Sequence, residues 1–257
     1  MKVVLFCGGL GTRLRDHSGE IPKPMVKIGS RPILWHLMKY YSYFGHKEFI
    51  LCLGYRGDAI KDFFINYNEC ISNDFTLTNG GKELKLHQSD IADWSITCVD
   101  TGMNSNIGQR FKAVEKYLEG EEYFLANYAD GLSDLQLPDM IRTFKESGKI
   151  GGFLCVKPSQ SFSVVSLGEG YNVEKIDYVK NSNMYINGGF FIFRKEIFHY
   201  IEQGEELVVE PFSRLIQENK LMGYKYDKFW HCMDTFKEQK ELNDMFDRGD
   251  APWEVWR

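Results

Sequence analysis

No apolar run in the chain approaches the roughly 20 residues a helix needs to span a bilayer, so a membrane-crossing helix is not expected. Paired cysteines are missing as well. The six cysteines (Cys7, Cys52, Cys70, Cys98, Cys155 and Cys232) stand singly, without a CxxC pair. Cys7, Cys52, Cys98 and Cys155 fall in apolar strand-like runs, where a thiol behaves as a small hydrophobe. Neither a cysteine metal site nor a disulfide framework is expected, and reduced thiols suit the cytoplasm. The chain also lacks a basic excess: 31 Lys and Arg against 36 Asp and Glu give a net charge of -5. A duplex nucleic-acid binder needs a basic face, so that class is disfavoured. A local pocket for a small anion is not. Repeats, low-complexity tracts and linkers are missing too, and 257 residues at 43% hydrophobic content read as one large domain with a real core. The first residues enter a strand pattern directly, without a signal-peptide pattern, so a cytoplasmic location is the expectation.

What is present concentrates in the first two dozen residues. Met1-Lys2-Val3-Val4-Leu5-Phe6-Cys7 has strand length, and Gly8-Gly9-Leu10-Gly11-Thr12-Arg13 follows, then Pro22-Lys23-Pro24. Glycines bring bare backbone N–H groups close to an anion where a Cβ would obstruct it. Arg13 and Lys23 would add full positive charge. A Walker A loop would end Gly-Lys-Ser/Thr, and here Thr12-Arg13 follows Gly11. The dinucleotide fingerprint would need a glycine where Leu14 stands. The same glycines would also serve a tight strand-to-helix connection. Strand, loop, Arg13 and Lys23 together favour a nucleoside-triphosphate cradle.

Along the chain, a helix is expected from Pro32 through Tyr41, with His36 on its face and Gly45 beyond its end. A buried strand follows at Phe49 to Leu53, then a short helix through Ile60, Phe63 and Phe64. That rhythm implies parallel βαβ units. Residues 66–93 interrupt it around Asn79-Gly80-Gly81 and read as a hairpin-like insertion. Strands resume at Ile96 to Asp100 and at Phe124 to Ala126. Short β segments (152–156, 162–167, 173–178 and 186–193) then suggest antiparallel strands appended to the parallel sheet. The expected fold is α/β, Rossmann-like and doubly wound, with a smaller antiparallel β appendage. It divides into a nucleotide-binding half (about 1–148), an acceptor half (about 149–234) and a C-terminal helix and tail (235–257).

Ligands in open α/β sheets bind beyond the carboxyl ends of parallel strands. The loop at residues 8–13, the Asp100-Thr101-Gly102 turn and Asp130 all sit at such ends. Asp130 at a strand end is a suitable hard-oxygen ligand for Mg2+, though Asp-Gly is commonly a plain turn. Asp234, just before Thr235, reads from its position as an N-cap of the last helix.

The string Gly8-Gly9-Leu10-Gly11-Thr12-Arg13-Leu14 with Lys23-Pro24-Met25 resembles the signature of the sugar-nucleotidyltransferases. Pro32-Ile33-Leu34-Trp35-His36, Val99-Asp100-Thr101-Gly102, Asn187-Gly188-Gly189-Phe190-Phe191, Glu210-Pro211, Met233-Asp234-Thr235 and Ala251-Pro252-Trp253 extend the likeness to the bacterial glucose-1-phosphate cytidylyltransferase branch. The resemblance implies transfer of CMP from CTP to a sugar-1-phosphate, with Mg2+ held by Asp130 and Asp234. It implies nucleotide contacts from Leu5, Gly8, Gly9, Gly11, Thr12, Arg13, Lys23, Ser105, Gly108 and Arg110, with Arg13, Lys23 and Asp130 serving the chemistry. Tyr128, Asn187, Gly188 and Glu210 would bind the acceptor sugar. A homo-oligomer is expected on the same ground.

Three departures fall on the acceptor side. Ala129-Asp130-Gly131 stands where the family has Gly-Asp-Gly. Ser161-Phe162-Ser163 stands where it has Arg-Phe-Gly. The Glu-Lys-Pro motif, whose lysine holds the sugar phosphate, has no clear counterpart, leaving Lys175 or Lys180 as substitutes. An acceptor other than glucose-1-phosphate, and a non-catalytic nucleotide binder, are the alternatives these departures raise.

Overall fold

A computed structural model describes residues 1–9, 21–158, 163–179 and 184–257. A seven-stranded sheet carries the fold. Its strands are β1 (Val3–Phe6), β2 (Glu48–Leu53), β3 (Ser95–Asp100), β4 (Tyr123–Asn127), β5 (Gly151–Val156), β6 (Ile186–Arg194) and β7 (Leu221–Tyr226). They lie in the order β7-β5-β6-β4-β1-β2-β3. Strands β4, β1, β2 and β3 pair in parallel, and β5 pairs in parallel with β7. Strand β6 runs antiparallel between β5 and β4.

Side-chain parity explains why both faces are covered. Along β1, Val3 and Leu5 enter one core and Val4 and Phe6 the other. Along β6, Phe190 and Ile192 alternate with Phe191 and Phe193 in the same way. Each such side chain contributes about 1.5–3 kcal/mol on burial, so a strand apolar on both sides is stable only between two layers. Helices α1 (Ile33–Tyr43), α2 (Gly57–Ile65), α4 (Leu137–Ser147) and α6 (Phe236–Asp247) supply one layer, while α3 (Ile107–Val114) and α5 (Glu210–Gln217) supply the other. Among the described residues no helix is long and apolar enough to cross a membrane.

The short β segments expected as antiparallel strands appended to the parallel sheet divide. Strands β5 and β6 belong to the main sheet. Only Ser163–Leu167 and Val173–Tyr178 form a detached antiparallel ribbon. The physical reason is the parity just described: β6 buries residues on both faces, whereas Val165, Leu167, Val173 and Ile176 of the ribbon are exposed. The start expected at Phe162 lies outside the described residues. The 66–93 insertion holds a hairpin, Phe75–Thr78 with Glu83–Leu86. Trp230–Cys232 pairs with Gly131–Ser133.

This topology fixes where a ligand can sit. From β1 the chain builds outward through β2 and β3, then returns to place β4 on the other flank of β1. The strand order therefore reverses between β1 and β4, and a crevice opens beyond their carboxyl ends.

Candidate active site

Lys23, Asp130 and Asp234 come from three distant parts of the chain and meet beyond β4. Lys23 begins a single 3-10 turn, Lys23–Met25, with Pro22 before it and buried Pro24 after it. Asp130 follows β4 through Ala129, whose left-handed φ of 64° turns the chain sharply. Asn127 Oδ1 accepts from the Ala129 N–H at 3.1 Å, and the Met233 N–H donates to the Asp130 carbonyl at 2.9 Å. That second bond brings the 230–234 segment alongside. Thr235, not Asp234, caps α6, in a reciprocal capping box with Glu238. Asp234 is thereby free of the capping role its position suggested, and its carboxylate turns to Lys23.

The Lys23 ammonium bridges the two carboxylates, 2.5 Å from Asp130 Oδ2 and in direct contact with Asp234 Oδ1. Side-chain exposure is 15% for Lys23, 26% for Asp130 and 37% for Asp234. Burial pushes the Asp130 carboxyl above its usual range, and the Lys23 charge only partly offsets this. Burial by itself would lower Lys23, yet the two acids carry it above its ordinary value. Two carboxylates with a cation between them are the oxygen set a Mg2+ ion uses when phosphate oxygens and water complete its shell. Among the described residues no group of three or more His, Cys, Asp or Glu could hold a metal unaided. The pair fits a cation that arrives with an anionic ligand.

The glycine loop begins where β1 ends. Gly11, Thr12 and Arg13 lie outside the described residues; Leu5 is buried within β1. At Gly8 a Cβ would lie 2.0 Å from Arg110 Nη1, whereas at Gly9 it would meet nothing within 4 Å. The space beside Gly8 is thus filled by the protein's own guanidinium, whereas the space beside Gly9 is open. Arg110, 3% exposed, donates to the Gly8 carbonyl at 2.9 Å, the Leu53 carbonyl at 3.1 Å, Thr101 Oγ1 at 2.7 Å and the Met103 carbonyl at 3.4 Å. It lies against backbone rather than turned to solvent. Ser105 donates to the Thr101 carbonyl at 2.5 Å. Gly108, in the first turn of α3, permits close approach of the 205–207 backbone, since a Cβ there would lie 2.2 Å from the Glu205 carbonyl.

On the other flank, Asn187 Nδ2 donates to Tyr128 Oη at 3.1 Å. Burial raises the Tyr128 hydroxyl well above its ordinary pKa, with the Glu206 charge adding to it. Gly189 is required twice: its φ is +74°, and a Cβ would lie 2.7 Å from the Tyr128 ring. The Gly188 carbonyl accepts from Trp230 Nε1 at 2.8 Å. Glu210 is exposed and joins this group indirectly, accepting from the Glu206 N–H at 3.1 Å. Glu206, which sequence reading passed over, therefore links Tyr128, α3 and α5. Lys175 pairs with Asp177 at 2.6 Å on the exposed ribbon, and Lys180 lies outside the described residues. Two lysines absent from the sequence expectations, Lys157 and Lys225, stand 4.6 and 5.2 Å from the Tyr185 ring centre. Lys157 follows β5 directly, in the strand whose Cys155 pairs with Asn187; a lysine one residue beyond an apolar strand was the available signal.

A cavity of about 1050 Å³ opens elsewhere, lined in part by Arg31, Trp35, Asp90 and Glu254. There Asp90 is already satisfied, lying 3.6 Å from Arg31 and 3.4 Å from Lys39 and accepting from Tyr67. At the strand ends, by contrast, Lys23, Asp130 and Asp234 bring one cation between two acids.

Comparison with known proteins agrees with this geometry. Residues 2–238 match the nucleotidyl transferase family. The glucose-1-phosphate cytidylyltransferase of Salmonella typhimurium is 37% identical over 257 residues, covering all of both chains. The probable glucose-1-phosphate cytidylyltransferase of Bacillus subtilis is 34% identical over 258 residues, again covering both completely. Among solved structures, HddC from Yersinia pseudotuberculosis superposes with a TM-score of 0.66 at 22% identity, over 95% of this chain and 99% of that one. A UDP-glucose pyrophosphorylase complexed with UDP-glucose gives 0.68 at 16% identity, over 96% and 98%. A glycine loop, a lysine set between two aspartates at the switch point and a match along nearly the whole length lead to one assignment: the chain belongs to the nucleotidyl transferase family.

Proposed function

We propose that the chain transfers the cytidylyl group of CTP to glucose-1-phosphate, giving CDP-glucose and pyrophosphate. The full-length identity to glucose-1-phosphate cytidylyltransferases carries this reading, and the Lys23–Asp130–Asp234 cluster gives it a chemical centre. A phosphate oxygen of the sugar phosphate attacks the α-phosphorus of CTP. The new P–O bond forms as the bond to the bridging oxygen of the β-phosphate breaks, and pyrophosphate carries away the electron pair. No group on the protein need become covalently attached, so the work is positioning and charge neutralisation. The open Gly9 backbone and Lys23 would receive the triphosphate, and Arg13 is assigned to the same task on the family resemblance. Asp130 and Asp234 would hold Mg2+, which when bound neutralises charge on the phosphoryl oxygens. Tyr128, Asn187, Gly188 and Glu210 would receive the sugar hydroxyls, since amide and carboxylate groups pair naturally with them. The reading includes a homo-oligomer and a reducing, cytoplasmic setting in keeping with six free cysteines.

A different phosphorylated acceptor is the second reading, favoured by the pairing of Lys175 with Asp177 on the exposed ribbon. Pyrophosphate release from CTP and Mg2+ against a panel of sugar-1-phosphates separates the two. Exclusive turnover of glucose-1-phosphate supports the first reading, and turnover of another acceptor alone supports the second. No release with any acceptor would indicate a non-catalytic nucleotide binder.

A further inference from the structure

We infer that the acceptor site also takes a sugar-1-phosphate carrying a second anionic group, phosphate or carboxylate, at the end remote from its reacting phosphate, and that Lys157 and Lys225 receive that group. The inference rests on the nucleotidyl-transfer reading and widens its acceptor class. It starts from strand direction. Strands β4 and β5 both run antiparallel to β6, and β7 runs parallel to β5. The carboxyl ends of β4, β5 and β7 therefore share one rim of the sheet, where the chain leaves β4 for Asp130. Lys157 stands one residue beyond the end of β5, and Lys225 is the last residue but one of β7.

Register sets both lysines on the acceptor flank. Asn187 of β6 and Lys225 of β7 each lie opposite Cys155 of β5, so the three side chains leave the same face of the sheet. Adjacent strands are about 4.8 Å apart, which puts Asn187 and Lys225 about 10 Å apart across β5. Tyr185, two residues before Asn187, spans that gap: the Lys157 and Lys225 ammoniums lie 4.6 and 5.2 Å from its ring centre. An aromatic face attracts cations and holds both there. Asp227 completes the cluster, accepting from Tyr185 Oη at 3.1 Å and lying 3.4 Å from Lys225. Two ammonium groups against one ring repel each other, and an anion between them relieves that repulsion. The order of groups along the rim selects the ligand. At one end the reacting phosphate must meet the α-phosphorus of CTP near Lys23, Asp130 and Asp234. Beyond it, Tyr128 and Asn187 suit hydroxyls, and the Glu206 charge that acts on Tyr128 disfavours a further anion there. The lysines come next, where an anionic substituent on the far side of the sugar ring gains charge-assisted hydrogen bonds.

Pyrophosphate release from CTP and Mg2+ with glucose-1-phosphate, glucose 1,6-bisphosphate and glucuronic acid 1-phosphate tests this. At least one of the two doubly anionic acceptors should show a KM about tenfold or more below that of glucose-1-phosphate. Preference for the bisphosphate identifies a second phosphate as the group received, and preference for the glucuronic acid ester a carboxylate. Lys157→Met and Lys225→Met should each raise the KM of the preferred acceptor by about fivefold or more, with little change in the KM for CTP. Lys157→Arg, which keeps the charge, should keep the preference. The Lys225 side chain is 64% exposed, so its variant decides alone if Lys157→Met does not fold. Equal or poorer use of both anionic acceptors would overturn the inference, as would a preference that neither methionine variant reduces. Absence of pyrophosphate with every acceptor would count against the nucleotidyl-transfer reading itself. Calorimetric titration with the same three sugars then decides the lysine seat: tighter binding of an anionic one, lost in Lys225→Met, supports it, and equal binding of all three overturns it.

Discussion

Replacing Lys23 with methionine removes the cation between Asp130 and Asp234 while keeping most of the side chain's volume. Breaking a buried ion pair costs about 3–5 kcal/mol when the remaining charge has no other partner. Here the remaining acids are 26% and 37% exposed, so water compensates part of that, and about 2–3 kcal/mol is the expected loss at pH 7. For a chain of this size that corresponds to a fall in melting temperature of roughly 4–12 °C. The pH dependence has a definite sign. Asp130 already sits above the ordinary carboxylate range because it is buried. Without Lys23 its neighbour Asp234 raises it further, so a proton relieves the repulsion and the deficit of the variant shrinks as pH falls from 7 toward 5. In the wild type the Lys23 pKa is raised, so its contribution is complete below the unfolded lysine value near about 10.4 and is lost as pH rises through the folded one. A divalent cation should replace the ammonium: at ten times its dissociation constant it would return roughly 1.4 kcal/mol to the variant. Scanning calorimetry of both proteins at pH 5, 7 and 8, with and without Mg2+, reads all of this. Equal melting temperatures at pH 7 with no response of the variant to Mg2+ would refute the idea that the two acids form a cation seat.

Further outcomes follow from the same geometry. Gly8→Ala places a methyl on the Arg110 guanidinium and should cost about 2–4 kcal/mol in urea unfolding, whereas Gly9→Ala, with open space around it, should leave stability within about 0.5 kcal/mol and weaken CTP binding. Asp130→Asn should leave the circular dichroism spectrum unchanged and lower CTP turnover by about a hundredfold or more; near-normal turnover removes it from the mechanism. His36, held between the Ile28 carbonyl and Trp253, is pushed down to about 4 by burial. The unfolded chain then binds a proton that the folded one does not, and stability should fall as pH drops from about 6.5 toward 4, by up to roughly 3 kcal/mol. Urea unfolding across that window should show the slope reduced by about one proton in His36→Gln.

The parallel half of the fold was legible because each of its strands is an apolar run separated by helical spacing, as at Val3–Phe6 and Glu48–Leu53. The destination of β5 and β6 was not, since short glycine-punctuated strands read alike whether they join a central sheet or stand apart. What decides is burial on both faces, and that depends on helices α3 and α5 arriving from distant sequence. Asp130 could be singled out in advance from its strand-end position and Lys23 from its place after the glycine loop, but their direct contact was not foreseen. Asp234 was ambiguous, and the answer lay one residue away in the Thr235–Glu238 capping box. The double role of the glycines was hidden for a related reason. Gly8 and Gly9 look equivalent in sequence, but one accommodates a guanidinium from 102 residues away and the other faces open space. Lys157 carried only the weak signal of standing one residue beyond β5, and nothing local distinguishes Lys225; β5 and β7 bring them to the same tyrosine.

Phosphorus-31 NMR of the purified chain with CTP, glucose-1-phosphate and Mg2+ puts the central claim to its most direct test. The account predicts that the monoester resonance of glucose-1-phosphate and the triphosphate resonances of CTP decline together, replaced by the coupled diester pair of CDP-glucose and the single resonance of pyrophosphate in equal amount. A spectrum that stays unchanged, or one in which CTP gives only CDP and inorganic phosphate, would contradict it.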